Sequence, residues 1–435
     1  MTPALLLAGT LLAGVVVPEK PSEAPVPQSA PRHIFDAGGE LSVVFDWLPR
    51  RDVYEIRPRL VADVTVEPAS WLRLYAEGLA EGLGAERDRY GRVGYGVAWL
   101  REGWVELIAN RADLRAGYGR IVWGRLDEVQ PSDVINPLDA AKYFLEGRSE
   151  ARLPVAFVRG RVYPVDGLSI EGVLSPRFER GSYDQLDEPT SPFNLLNDLV
   201  LPAGTELATN EVEGRPPDVS WSKPLGGVRV SATAGRVDFS VSAYEGADGF
   251  GVVTFEPVSA PPVSPAVVGT LVETFPRFRM YAADFETVSG EWAFRGEVAA
   301  FTKKKLMGVG VPGAVDGRAI DAGFGFDRRA GDFRVYGTAL LHREWSEEDP
   351  AVDRTDVSLV GSIDTTFARD TQLIRVFGVV NPGDGSAFLR GLWEWSFTDN
   401  VSFDVSAGAF FGTSDDTLGR FKGRDFLFSR LRWHF

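Results

Sequence analysis

Arg424-Asp-Phe-Leu-Phe-Ser-Arg-Leu-Arg-Trp-His-Phe435 closes the chain, and its two-residue period decides the fold. Leu427, Ser429, Leu431, Trp433 and Phe435 form one alternate set; Phe426, Phe428, Arg430, Arg432 and His434 form the other. Alternate residues of a strand point to opposite faces, so one face is apolar to the last residue while the other turns basic. Chain ends fray, and a strand of a soluble sheet has little reason to finish on an aromatic. A sheet that closes on itself does, because its last strand must pair with its first.

Leu431, Trp433 and Phe435 resemble the C-terminal signature of bacterial outer-membrane barrels, in which a terminal aromatic is read by the barrel-assembly machinery. That resemblance implies an all-β fold, a transmembrane antiparallel up-and-down β-barrel. The residues upstream support it on their own terms. Val237, Phe239, Val241 and Ala243 alternate with Asp238, Ser240 and Ser242. Trp292, Phe294, Gly296, Val298 and Ala300 alternate with Glu291, Arg295 and Glu297, and Val401 to Phe411 does the same against Ser402, Asp404 and Ser406. These runs reach the ~9–11 residues that a membrane-crossing strand needs, whereas soluble strands peak near ~5–6.

Turn parity is an independent test, because outer-membrane barrels alternate short periplasmic turns with longer outer loops. Counting back from Phe435, the periplasmic turns fall at Thr398–Asn400, Ala368–Asp370, Arg328–Gly331, Val288–Gly290, Gly235-Arg236, Pro164–Asp166, Arg111–Asp113 and Glu67–Ser70. The outer loops fall at 413–423, Asn381–Ser386, Ser346–Val352, 303–317, 246–274, 176–225, 124–151, 84–92 and Pro49–Asp52. With 93–110 read as one strand, the count comes to about eighteen, with sixteen the alternative, and both termini lie in the periplasm. Trp47, Trp71, Trp123, Trp292, Trp345 and Trp433 stand close to these turns, where interfacial aromatic girdles are expected.

Composition agrees. Hydrophobic residues make up 44%, with Gly 47, Trp 11 and Phe 28, and no apolar run is long enough to span a bilayer as a helix. A net charge of −15 argues against nucleic acid as a partner. Cysteine is absent, which excludes disulfides, thiolate metal sites, a cysteine nucleophile and a lipidated-cysteine anchor. Residues 1–17 carry an apolar core, Ala4 to Val17, of signal-peptide length, although no Lys or Arg precedes it. Residues 18–38, rich in Pro, Ser, Ala and Glu, read as a disordered periplasmic lead, and the barrel is expected over 39–435.

Residues 99–152 differ from the rest. They contain Trp99-Leu-Arg-Glu, Asp113-Leu-Arg-Ala-Gly-Tyr-Gly-Arg-Ile-Val-Trp-Gly124, Arg125-Leu-Asp127 and Asn136-Pro-Leu-Asp139. The order Leu-Arg-Glu, Asp-Leu-Arg, Trp-Gly-x-x-Asp, Asn-Pro-x-Asp resembles a porin-like family of largely uncharacterised Gram-negative outer-membrane β-barrel proteins. The chain departs from that pattern at Ile121, where the family has Gln, and at Tyr118-Gly119, which interrupts its Gly-Arg. The resemblance implies a porin-like channel for small solutes. It also implies an alternative, since some relatives are held to work beside exporters of hydrophobic compounds: an outer-membrane component of an export system, plugged or non-conducting, with an inner-membrane exporter as partner.

Physically, 124–152 is too long for a turn, and Asp139 stands where it can cap a short helix over Leu138–Glu146. A loop folded into the lumen is expected, with Arg120, Arg125, Asp127, Asp133, Asp139, Lys142, Arg148, Glu150 and Arg152 as constriction candidates. Their mixed charges either set a transverse field or form a salt-bridged loop that only braces the wall. Arg57, Arg59, Asp63, Arg73, Glu77, Arg390, Glu394, Asp404, Arg430 and Arg432 are read as inward-facing. Lys303-Lys-Lys305 reads as a solvated outer-loop run, or as a contact for lipopolysaccharide phosphates. The apolar cluster Pro192–Pro202 reads as a self-packed loop, or as a plug over the mouth.

An enzyme needs a nucleophile, a base and an orienting group. The histidines, His33, His342 and His434, are dispersed and sit in no nucleophile motif. Neither catalytic residues nor a metal or cofactor is therefore expected. Outer-membrane lipid and lipopolysaccharide are the expected surroundings.

Overall fold

A computed structural model describes residues 34–87, 90–198, 204–259, 267–306, 314–414 and 416–435. The apolar core of 1–17, His33 and most of the 18–38 lead lie outside the described residues. The strands are β1 Phe35–Leu48, β2 Val53–Ala69, β3 Leu72–Arg87, β4 Gly91–Ala109, β5 Ala112–Gly119, β6 Val155–Val165 and β7 Leu168–Ser175. They continue with β8 Thr205–Arg215, β9 Leu225–Ala234, β10 Val237–Ala247, β11 Val252–Ser259, β12 Val267–Thr274, β13 Arg277–Ser289 and β14 Trp292–Leu306. The last are β15 Val315–Ala330, β16 Phe333–Trp345, β17 Arg354–Phe367, β18 Gln372–Asn381, β19 Ser386–Ser396, β20 Val401–Phe411 and β21 Phe426–His434.

Eighteen of them form one closed antiparallel sheet; β8, β11 and β12 form a separate three-stranded sheet. The barrel closes where β1 pairs with β21, Leu41 opposite Trp433 and Val43 opposite Leu431. Beyond the last strand pair, Gly39 and Phe435 exchange two backbone hydrogen bonds of 3.0 Å. Gly39 has to be glycine: a Cβ there would lie 2.5 Å from the Phe435 ring and 2.7 Å from the Val61 carbonyl. The terminal aromatic is thus packed over the closing seam, and the eighteen strands match the count from turn parity.

Along the seam, Leu41, Val43, Phe45, Leu427, Leu431 and Trp433 point outward and are exposed, while Ser42, Val44, Asp46, Phe428 and Arg430 are buried inside. The alternation sets an apolar exterior against a lumen rich in charge, the distribution that lipid outside and water or protein inside demand. Among the described residues no helix is long and apolar enough to cross a membrane, so the crossing is made by strands. The protein is an outer-membrane β-barrel. Six of the eight turns at one end of the barrel are two-residue hairpins; at Gly235 (φ 65°) the left-handed backbone that such turns favour costs a glycine nothing.

Four expectations need correction. The first strand starts at Phe35, inside the segment expected as disordered lead. Trp123 is not a girdle residue: it is buried within the lumen, its ring edge-on to Tyr244 and its indole N–H donating to Glu171 at 2.6 Å. The connection 246–274, read as an irregular outer loop, carries β11 and β12, which with β8 form the small sheet. Lys303-Lys-Lys305 belongs to β14. A register shift after Phe301 and the left-handed Lys303 (φ 59°) form a bulge there, and such bulges re-aim side chains. Both Phe301 and Lys304 consequently face the lumen.

Candidate functional site

The strand β5 stops at Gly119, having paired only with Gly103–Ala109 of β4, and the rest of β4, from Gly91 to Glu102, keeps β3 alone as its neighbour. The chain leaves the wall at that height and crosses the lumen. At the far side, Gly124 (φ 99°) turns it against Glu297 of β14. Glu297 accepts from the backbone N–H of Arg125 at 3.0 Å, from that of Ser132 at 2.6 Å and from the Ser132 hydroxyl at 2.7 Å. One inward carboxylate thereby collects backbone donors that would otherwise be buried without acceptors. Leu126, fully buried, fits beside Gly323 of β15, where a Cβ would lie 2.4 Å from its methyl.

The loop then returns through two short helices, α1 Ala140–Leu145 and α2 Arg148–Ala151, before β6. Asp139 caps α1, accepting from the Lys142 N–H at 2.9 Å, and also accepts from the Gln185 N–H at 2.8 Å. Asn136 ties both ends of the loop together. Its carbonyl accepts from the Ile121 N–H at 2.8 Å and its amide donates to the Leu153 carbonyl at 2.7 Å. Phe144 of α1 packs against Phe388 of β19, Phe410 of β20, Phe421 of the last outer loop and Phe193 of the 176–224 loop, with ring centroids 4.7–5.7 Å apart. The apolar cluster around Phe193 therefore covers the loop from above.

Ion pairs fasten this crosspiece. Glu146, the residue ending α1, accepts both Nη groups of Arg59 at 2.7 and 2.8 Å and Arg430 Nη1 at 3.0 Å. Lys142 Nζ meets Glu81 at 3.2 Å. The 176–224 loop has its own clamp, with Asp184 2.8 Å from Arg57 and 3.1 Å from Arg87. Burial pushes the Asp139 carboxyl up, helped by the nearby Asp184 charge, to about 6. Against the same push of burial, Arg59 and Arg430 hold Glu146 well below the usual carboxylate range, and Arg101 holds Glu150 down to about 2.

The constriction candidates divide into two groups. Arg120 reaches Glu102, Arg125 reaches Asp284 at 2.6 Å, Asp127 reaches Arg295 at 2.6 Å, Lys142 reaches Glu81 and Glu150 reaches Arg101 at 2.8 Å, so these five meet the wall. Asp133, Arg148 and Arg152 pair with one another at 2.9–3.0 Å inside the loop, and Asp139 is a helix cap. These last four brace the loop. Sequence reasoning missed Glu146, Glu297 and Asp184, the residues that pin the loops. An acid at the end of α1 opposes the helix dipole, a usable signal that it serves something else.

Between the loop segment Val129–Leu138 and the wall of β13–β17 lies a cavity of about 150 Å³, bordered by Lys304, Asp321 and His342. His342 Nδ1 contacts Asp321 and Nε2 is 3.5 Å from Glu344. The hydroxyl of Ser358, on the same cavity, donates to Asn381 at 2.6 Å, so no serine–histidine pair is assembled. Towards the periplasm the lumen carries cross-strand ion pairs, among them Arg115–Glu106 at 2.7 Å and Arg432–Asp404 at 3.1 Å. Among the described residues no cluster of side chains is suited to hold a metal ion.

Solved structures share this architecture. OccK5 (OpdH) of Pseudomonas aeruginosa aligns at TM-score 0.50 and 10% identity over 92% of this chain and 97% of its own. The outer membrane protein opdK of the same organism aligns at TM-score 0.50 and 10% identity over 92% and 98%. At such identity the likeness speaks for the fold. No curated protein matches the sequence. A family model does match, over residues 84–311, which run from the end of β3 through the lumen loop to the end of β14. The chain belongs to that family, described as a protein of unknown function, DUF1302.

Proposed function

We propose that the protein is a porin-like channel for small solutes, narrowed to a selective aperture by the loop between β5 and β6. The observation that carries this reading is the loop's attachment. It is fixed at Glu297 on one wall and at Arg59 and Arg430 on the other, while a cavity persists beside it. The likeness to the outer-membrane barrels above supports the same architecture.

The alternative, a plugged component of an export system for hydrophobic compounds, is favoured by a different observation: the aromatic packing of Phe144 and Phe193 over the outer lumen. Planar-bilayer conductance of the refolded protein, with and without residues 126–150, separates the two. The channel reading expects a small conductance that rises on deletion. Conductance from the deletion alone supports the plug, and none from either form refutes the channel.

A further inference from the structure

The cavity beside the crosspiece has a mixed lining, with an apolar sector facing a charged margin. Tyr244, Phe278, Phe301 and Leu340 face it from the wall, and Ile135 and Leu138 from the loop. The bulge in β14 adds Lys304, whose ammonium stands 5.3 Å from the Phe301 ring centre and 6.0 Å from that of Phe278. Its stem extends the apolar wall while its charge stays at the margin.

Each charge on that margin has an oppositely charged partner, Asp133 serving both Arg148 and Arg152. Asp133 pairs with Arg148 at 3.0 Å, Arg177 with Glu179 at 2.9 Å, Lys304 with Asp248 at 3.4 Å and His342 with Asp321. A charged solute would have to break one of these pairs or enter the apolar lining uncompensated, and both are costly. An uncharged solute meets neither penalty and gains from removing its apolar surface from water. Roughly 150 Å³ is enough for a molecule the size of benzene, which could lay its ring on the apolar sector while its edge meets the polar margin. We propose that this cavity is a binding site for a small uncharged monocyclic molecule, aromatic or alicyclic, bearing at most a hydroxyl or carbonyl. That the site lies on a permeation path rests on the channel reading; binding itself does not.

The test uses three probes of one size: benzyl alcohol, benzoate and benzylammonium. Added to the reconstituted protein in planar bilayers, benzyl alcohol should reduce the ion current saturably. The two ions should act about tenfold more weakly, the factor that ~1.4 kcal/mol of uncompensated charge produces. Ile135→Phe and Leu340→Phe, which fill the cavity from opposite sides, should each abolish the effect. Equal or stronger block by either ion, or an undiminished effect in both filled variants, would overturn the proposal. A protein that carries no current refutes the channel and leaves binding to a second readout. In liposomes, 4-bromobenzyl alcohol should quench Trp123, which abuts Tyr244, with a saturable component that Trp123→Phe and Leu340→Phe both remove. Quenching that is linear and the same in all three proteins would overturn binding.

Discussion

Replacing Glu146 tests whether the loop is held in place by its ion pairs. The carboxylate receives a two-pronged contact from Arg59 and a third hydrogen bond from Arg430, all buried. Removing one partner of a buried pair generally costs ~3–5 kcal/mol, because the remaining charge stays desolvated. Here each arginine keeps a second carboxylate, Arg59 with Glu81 at 2.7 Å and Arg430 with Asp404 at 3.3 Å. The lower end, about 3 kcal/mol, therefore applies to Glu146→Ala. At ~1.4 kcal/mol per decade this shifts the docked-to-undocked ratio of α1 by about a hundredfold.

Phe144 still holds the helix, so the expected phenotype is intermittent release. Single-channel traces of Glu146→Ala should show brief excursions to a larger conductance, rare in the parent. Glu146→Gln, which keeps one acceptor oxygen, should fall between them. Phe144→Ala removes a buried ring worth ~3–5 kcal/mol, and combined with Glu146→Ala it should leave the loop mostly undocked. The matched control is Glu245→Ala, whose pairs with Arg277 and Arg279 are exposed enough to contribute under ~1 kcal/mol. Glu146→Ala traces identical to the parent in mean and noise, from protein that still migrates as folded barrel, would refute the reasoning.

Acid should tighten the loop before it loosens it. The Asp139 pKa, about 6, is raised above the unfolded value, so its contribution to docking grows as pH falls through 6. The lowered pKa values of Glu146 and Glu150 mean that their contributions, present above about 4.5, are lost only as pH falls further. Open excursions should not increase between pH 7 and 5, and Asp139→Asn should abolish any step near pH 6; an increase over that range sinks this assignment. Glu297→Ala leaves the backbone donors of Arg125 and Ser132 without their acceptor, at ~1–3 kcal/mol for each buried group. Trypsin added on the outer side should then cleave at Arg125, and unchanged resistance by mass spectrometry would speak against the Glu297 anchor. Gly39→Val should strike the closing seam and cut the yield of heat-modifiable folded barrel in the outer membrane, as should loss of Phe435; a normal yield from both would separate the terminal aromatic from closure.

The barrel was legible in the sequence because its constraints repeat. Lipid on one side forces a two-residue period, and hairpin parity forces short and long connections to alternate, so an error at one turn is exposed by the next. That is why a count from Phe435 reached β1 with eighteen strands and the correct side for each connection. The bulge at Lys303 escaped because it breaks the period by one residue, and Trp123 escaped because a tryptophan near a turn looks alike in a girdle and in a core.

The lumen obeys no such period. Glu146 is matched to Arg430 from 284 positions away, and Ser132 to Glu297 from 165. An interior charge is chosen by whatever lies across the lumen, and spacing along the chain carries no record of that choice. The sequence therefore marks the loop but leaves open whether its charges set a transverse field or brace the wall. Asp133 stands between Arg148 and Arg152 inside the crosspiece, one carboxylate shared by two guanidiniums, so these charges hold the loop together. The cavity beside them is bordered by further ion pairs, Arg177 with Glu179 and Lys304 with Asp248, next to apolar side chains. If solutes pass here as proposed, their desolvation cost weighs more than the sign of their charge. On the proposed channel reading, paired charges beside apolar side chains set a desolvation barrier at one level of the lumen, while cross-strand ion pairs such as Arg115–Glu106 and Arg432–Asp404 keep another level polar.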